Sequence, residues 1–279
     1  MVRLGQDVEA MRVRIVAEVE MLTEAQASLE HQQAELLRSN DDLEQFAYVA
    51  SHDLQEPLRK VSGFCQLLEK RYADQLDERA KEYIWYANDG ARRMQDLIND
   101  LLAFSRVGRT TEAFESVDLK VVADEVVSMF GEQVETTGAT VTVGDLPTVA
   151  GDRRLLAQVI QNLVGNALKF RGDKAPEVRI TSVTDGETAS ISVSDNGIGV
   201  PPEYADQIFT IFKRLHNKTE YAGTGIGLAL SKKIIEFHGG RIWLAQPDEG
   251  QPGTTFSFTL PHQPVAAPTA TEASDDVDD

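Results

Sequence analysis

Two glycine-rich segments and a pair of asparagines carry residue types that suit phosphate chemistry. "SDNGIGVP" holds Gly197 and Gly199, and "YAGTGIGLALSKKII" runs from Gly223, Gly225 and Gly227 into a helix. Such glycines let the backbone approach a ligand and adopt positive φ, and a helix starting near Ile226 aims free N–H groups at an anion. A third element, "QVIQNLVGNALKF", puts Asn162 and Asn166 one turn apart on one face of an otherwise apolar helix. Two such amides either bridge to neighbouring loops or supply a hard, neutral oxygen to Mg²⁺ on a nucleotide, phosphate and water completing the shell. A G-x-G-x-G run alone is common in turns. The dinucleotide fingerprint is a poor fit, because it follows the first strand of a parallel unit and these loops come late.

A second constellation lies in "YVASHDLQEPLRKV", where His52 and Asp53 precede Pro57 by about one turn. At about 100° per residue His52 lies about 200° from the apolar Ala50 and Leu54, so it is expected to project to solvent. A neutral imidazole, with an ordinary pKa of about 6.5, has one ring nitrogen free to attack phosphorus. Asp53 is adjacent, and Pro57 cannot donate to the Asp53 carbonyl, so the helix is expected to bend at this turn. Of the other histidines, His31 sits in a heptad segment, His216 and His238 lie in or beside the glycine-loop region, and His262 borders the tail.

These groups need elements to hold them. Ile15, Leu22, Leu29, Leu36 and Leu43 recur every seventh residue and predict a coiled coil. Apolar spacing continues through Leu54, Leu58, Val61, Cys65 and Leu68 toward Arg71, and a second amphipathic helix carries Ile84, Ala91, Met94, Leu97, Ile98, Leu101 and Leu102. Two helices with a short turn make a hairpin, and two hairpins make a four-helix bundle. Beyond Ser116 the pattern alternates. Strands are expected at 140, 177, 189, 240 and 254, and helices over 118–137, 152–170 and 226–238, giving an α+β sandwich.

Bulk composition narrows the partners. In 279 residues, 27 Lys and Arg face 45 Asp and Glu, a formal charge of -18 that argues against nucleic acid and anionic membranes. The single cysteine, Cys65, excludes an internal disulfide. No apolar run reaches the roughly 18 residues of a membrane helix, so no membrane contact in this chain is expected, and the lone Cys65 suits a reducing compartment and hence a cytoplasmic location.

Taken in order, "NLVGNALKF" (162–170), "DNGIGV" (195–200), "IFTIFKRLH" (208–216), "GTGIGLAL" (223–230) and "GQPGTTFSFTLP" (250–261) resemble the N, G1, F, G2 and G3 boxes of sensor histidine kinases. "SHDLQEPL" resembles that family's phosphoacceptor box. The resemblance implies a coiled-coil signalling helix over 1–40, a dimerisation and histidine-phosphotransfer hairpin over 41–108 and a linker over 109–117. An α/β-sandwich (Bergerat-type) ATP-binding domain over 118–262 and a disordered acidic tail over 263–279 complete the expected order.

By the same resemblance Asn166 is the metal-binding amide, Lys169 approaches the phosphates, Asp195 accepts the adenine amino group and Arg214 reaches the terminal phosphate. Asn162, Gly197, Gly199, Gly223, Thr224, Gly225, Gly227 and Thr255 complete the expected nucleotide site. Asn162 stands where related chaperone ATPases hold a glutamate that activates water, and an amide cannot act as that base. The implied activity is therefore autophosphorylation of His52 by ATP and Mg²⁺ in a homodimer, then transfer to an aspartate of a response-regulator receiver domain. Asp53 would hydrogen-bond the second ring nitrogen, and an upstream sensor domain or protein would supply the stimulus. Glu56 occupies a position where many relatives have Thr or Asn, and its charge counts against phosphatase activity. Two other classes remain: a nucleotide-controlled interaction module, predicting ATP binding without phosphoprotein, and a water-hydrolysing ATPase with no use for His52.

Overall fold

The computed structural model describes residues 51, 53–108, 114–215, 223–245 and 252–262, with single residues and short runs between 11 and 38. The chain divides into two compact units, Met1–Lys60 and Val61–Asp279. In the first unit the described residues between 11 and 38 are helical and exposed. The heptad residues Ile15, Leu22, Leu29, Leu36 and Leu43 lie outside the described residues, as do His52, His216 and the tail over 263–279. Residues 53–60 are α-helical through Pro57, and Glu56 pairs with Lys60 at 2.7 Å.

The second unit opens with helix α1, residues 61–72. Its end turns back through the N–H groups of Gln75 and Leu76, both donating to the Tyr72 carbonyl. Helix α2 (Glu78–Arg106) starts where Asp77 accepts the Ala80 N–H, and Glu78 in its first turn complements the helix dipole. Among the described residues no helix is long and apolar enough to cross a membrane.

Strand β1 (Glu115–Asp118) pairs antiparallel with β3 (Thr148–Gly151). Between them lie α3 (Leu119–Met129), α4 (Gly131–Thr137) and β2 (Thr140–Val143); after β3 come α5 (Arg153–Lys169), β4 (Glu177–Asp185), β5 (Thr188–Asp195), α6 (Gly227–Phe237), β6 (Ile242–Ala245) and β7 (Thr255–Pro261). The main sheet has the order β2-β4-β5-β7-β6, with β2 parallel to β4 and the rest antiparallel. Burial alternates along β4 and β5, so one face carries the core and α5 covers it. This is the expected α/β sandwich.

Helix α5 shows why the asparagines end up where they do. Asp152 caps it by accepting the Leu155 N–H, and Leu156, Val159, Ile160, Leu163, Val164 and Leu168 are buried at helical spacing. Each such side chain contributes about 1.5–3 kcal/mol on burial, which leaves the polar stripe with Asn162 and Asn166 turned outward. The end of α2 joins the same core: Val107 is buried there, with Leu97 and Phe104 packed against it. The compact units therefore do not divide at residues 109–117.

Two local features differ from expectation. The single helix expected over 118–137 is α3 and α4, broken where Phe130 leaves helical geometry (φ -92°, ψ 9°) before Gly131. Strands β1 and β3 leave no pattern in the sequence, because four residues with one or two buried positions give little alternation to read.

Gly253 ties the sheet to the glycine loops. Its φ is +117°, and a Cβ there would overlap the Asp195 carbonyl oxygen. Replacing it with alanine adds backbone strain and a clash, and lowers unfolding free energy by about 3 kcal/mol or more in a urea titration. Wild-type stability in G253A would contradict this packing.

Candidate active site

A cavity of about 540 Å³ lies among α5, the segment after β5, the loop before α6 and the start of β7. Asn162, Asn166, Lys169, Asp195, Gly199, Arg214, Gly223, Thr224, Gly225 and Gly227 all line it. Sequence positions spread over some sixty residues thus converge on one space. Phe170, Ile198 and Ile208 form apolar parts of its wall.

Asp195 sits at the end of β5, where burial outweighs its hydrogen bonds. Its Oδ1 accepts the N–H groups of Gly197 at 2.8 Å and Thr254 at 3.1 Å. Burial nevertheless pushes the carboxyl up to about 6, the two backbone donors opposing that rise. Both backbone bonds fall on Oδ1, so Oδ2 is the oxygen available to a donor in the cavity. A buried acceptor of this kind selects an amino group over a carbonyl.

Elsewhere in the cavity two cations converge on Gly223. Arg214 donates through Nη1 to the Gly223 carbonyl at 2.7 Å, and a Cβ on Gly223 would stand 2.8 Å from the Lys169 Nζ. Burial lowers the Lys169 pKa and the neighbouring Arg214 charge lowers it further, while Nζ also lies 4.3 Å over the Phe170 ring. Two like charges near one another in a half-buried space favour the binding of an anion between them. The F segment and the loop are tied at the same place: Phe212, with φ 64°, donates its N–H to the Gly225 carbonyl at 3.0 Å.

Asn162 and Asn166 do different things. Asn162 donates from Nδ2 to the Ser231 hydroxyl at 2.8 Å, and a Cβ on Gly227 would overlap its Oδ1. It bridges α5 to the first turns of α6, and only glycine at 227 permits that approach. Asn166 lines the cavity one turn on. One amide oxygen suits a Mg²⁺ ion whose other ligands are phosphate oxygens and water, and among the described residues no cluster of three or more His, Cys, Asp or Glu could hold a metal instead.

Three expected residues stand elsewhere. Gly197 backs onto the Phe170 carbonyl and serves Asp195 through its N–H. Thr255 does not line the cavity; its hydroxyl donates to Ser194 Oγ at 3.0 Å, and the buried Thr254 faces the site instead. Successive side chains at a strand alternate faces, so a shift of one position decides which threonine is used. Asp53 is exposed on its helix in the first unit.

Asp100 is a further cavity residue that sequence reasoning missed. Asp100 of α2 lines the cavity and accepts a hydrogen bond from the Thr224 hydroxyl at 2.5 Å. Burial raises its pKa, the Thr224 bond opposes this and nearby Asp96 adds to it.

The histidines separate by environment. His238 is buried, shares Nδ1–H with the Ile234 carbonyl at 2.7 Å and accepts the Asp152 N–H on Nε2 at 3.0 Å. Burial lowers its pKa, so it is a neutral structural group. His262 bonds the Thr148 carbonyl and His31 lies beside Glu35.

Residues 151–264 match the family described as histidine kinase-, DNA gyrase B- and HSP90-like ATPase, and residues 42–110 match the His Kinase A (phospho-acceptor) domain. The chain is 48% identical over 227 residues to cyanobacterial phytochrome A of Nostoc sp., covering 81% of this chain and 29% of that protein. It is 32% identical to the sensor protein kinase WalK of Staphylococcus aureus, over 78% of this chain and 36% of the relative. The chain thus spans about a third of the length of these curated relatives. Among solved structures, full-length ShkA in complex with AMPPNP matches with a TM-score of 0.63 at 28% identity, over 80% of this chain and 47% of that one. Histidine kinase ThkA in complex with response regulator protein TrrA matches with a TM-score of 0.55 at 26% identity, over 79% of this chain and 61% of that one. A phospho-acceptor region followed by this nucleotide-binding α/β sandwich, in that order along one chain, makes the chain a member of the sensor histidine kinase family.

Proposed function

We propose that the chain is an ATP-dependent protein-histidine kinase that phosphorylates itself on His52 and passes the phosphoryl group to an aspartate of a response-regulator receiver domain. The observation that carries this reading is a single cavity holding both a buried acceptor, Asp195, and a pair of converging cations, Lys169 and Arg214. Adenine donates its amino hydrogen to Asp195 Oδ2, and Lys169 and Arg214 bind the polyphosphate. When bound, Mg²⁺ neutralises phosphate charge, with Asn166 as its protein ligand. A ring nitrogen of His52 attacks the γ-phosphorus, the bond to the β,γ-bridging oxygen breaks, ADP leaves, and the proton on the other ring nitrogen is shared with Asp53. The aspartate of the receiver then takes the phosphoryl group from nitrogen.

Asn162 supports phosphoryl transfer over water hydrolysis. Its amide has no basic lone pair for activating water, and it is engaged in holding α6. A homodimer fits the apolar surface of the hairpin helices, where Phe64, Leu67, Trp85 and Tyr86 are exposed at 66%, 59%, 60% and 54%.

Incubation of the chain with γ-labelled ATP and Mg²⁺ tests the reading. The expected product is a label on the protein that survives base and is lost in acid, and N166D lowers its yield by about a hundredfold or more. Steady release of free phosphate without phosphoprotein would overturn it in favour of an ATPase. Nucleotide binding with neither product would favour an interaction module.

A further inference from the structure

We propose that Asp100 of α2 is a latch on the nucleotide loop: by engaging Thr224 it competes with the nucleotide's phosphates, so undocking α2 from α6 raises nucleotide affinity. The proposal rests on the cavity being the ATP site. Asp100 and Thr224 are 124 residues apart, and the Thr224 hydroxyl donates to Asp100 Oδ2 at 2.5 Å. The same hydroxyl accepts the Ile226 N–H at 3.3 Å. A hydroxyl has one proton to donate, so while Asp100 holds it none is left for a phosphate oxygen. Its bond to Ile226 also occupies an N–H at the start of α6, a helix with no other side-chain cap.

Charge works in the same direction. Asp100 lines the cavity that contains Lys169 and Arg214, and it is half-buried, where solvent screens it less than at the open surface. A carboxylate there attracts the cations that the phosphates need and repels the phosphates themselves.

A second anchor couples the loop to the helix. Lys233 of α6 donates to the Phe104 carbonyl at 2.7 Å and lies 4.5 Å over the Phe104 ring, one turn beyond Asp100. Leu97 and Phe104 also pack against the core of the nucleotide-binding sandwich. Docking of α2 along α6 and closure of the Thr224 loop are therefore one event, and a signal that shifts α2 is read directly at the nucleotide.

Calorimetric titration of the whole chain with AMPPNP and Mg²⁺, and separately with adenosine, tests the latch. D100N keeps shape and an acceptor oxygen but removes the charge; D100A removes both; K233M loosens the second anchor without touching the loop. All three are expected to bind AMPPNP more tightly, by about fivefold or more for the Asp100 variants, with adenosine affinity unchanged. AMPPNP affinity at or below wild type in both D100N and K233M overturns the latch, as does a parallel change for adenosine. N166D separates the two readings. If it weakens AMPPNP binding while the Asp100 variants match wild type, the latch alone fails; if wild type binds no AMPPNP, the site reading and the latch fail together.

Discussion

His52→Gln abolishes the base-stable, acid-labile label that forms from γ-labelled ATP, while AMPPNP binding stays at the wild-type level. The expected loss is about a thousandfold or more, because a carboxamide nitrogen has its lone pair delocalised and cannot attack phosphorus. Imidazole attack needs a neutral ring with an accessible nitrogen, and among the described histidines His238 offers none. His238 has both nitrogens engaged and is buried, and His262 bonds a backbone carbonyl. His31 lies exposed beside Glu35 in the heptad segment, so H31Q serves as the control and should retain full labelling. Label persisting in H52Q above background would move the phosphoacceptor elsewhere.

Asp195→Asn weakens ATP binding by about 10- to 150-fold, corresponding to about 1.5–3 kcal/mol for a hydrogen bond to a charged group. The carboxylate's Oδ1 is engaged by Gly197 and Thr254, so an asparagine that keeps those bonds turns its NH₂ toward the adenine amino group. Donor then faces donor. GTP, whose ring presents a carbonyl oxygen there, should lose less or gain, so the ATP-to-GTP affinity ratio falls.

The pH dependence follows from the same group. Asp195 titrates at about 6 in the free domain, raised by burial. Nucleotide binding favours the ionised acceptor and lowers that pKa, so affinity rises as pH increases through about 6 and levels off above it. For stability of the free domain the sign is opposite: a carboxyl raised on folding stabilises most below its unfolded pKa, and this contribution is lost as pH rises through about 6. Calorimetry of wild type and D195N between pH 5 and 7.5 isolates the effect, since the titration of the nucleotide's own phosphates is common to both. Parallel profiles for the two proteins would remove Asp195 from the adenine contact.

The two readouts connect to the hairpin through α2. Its C-terminal half is simultaneously part of a phospho-acceptor region and part of the sandwich's core, with Val107 buried there. A helix shared in this way cannot move without changing what the nucleotide loop touches.

Much of the site was legible from local pattern. Glycines at 223, 225 and 227 ahead of an apolar helix, and two amides one turn apart on α5, announce their use because backbone approach and helical periodicity are local properties. The strands with long alternation, β4 and β5, were placed within a residue or two. What stayed hidden depends on distance along the chain. β1 and β3 are too short to show a period, and each exists because the other is there to pair with it. Thr254 replaces Thr255 at the cavity because the start of β7 fixes which face each threonine takes.

Sequence by itself determined the order of the boxes, the nucleophile candidate His52 and the amide at 162 that lacks a water-activating base. Those follow from residue chemistry and spacing, which need no neighbour. Only the tertiary structure decided that Asp195 has its pKa raised to about 6, that Lys169 and Arg214 meet at Gly223, and that Asp100 closes on Thr224. Each of these is set by desolvation or by a contact between segments far apart in the chain, and such terms exist only once the core has packed.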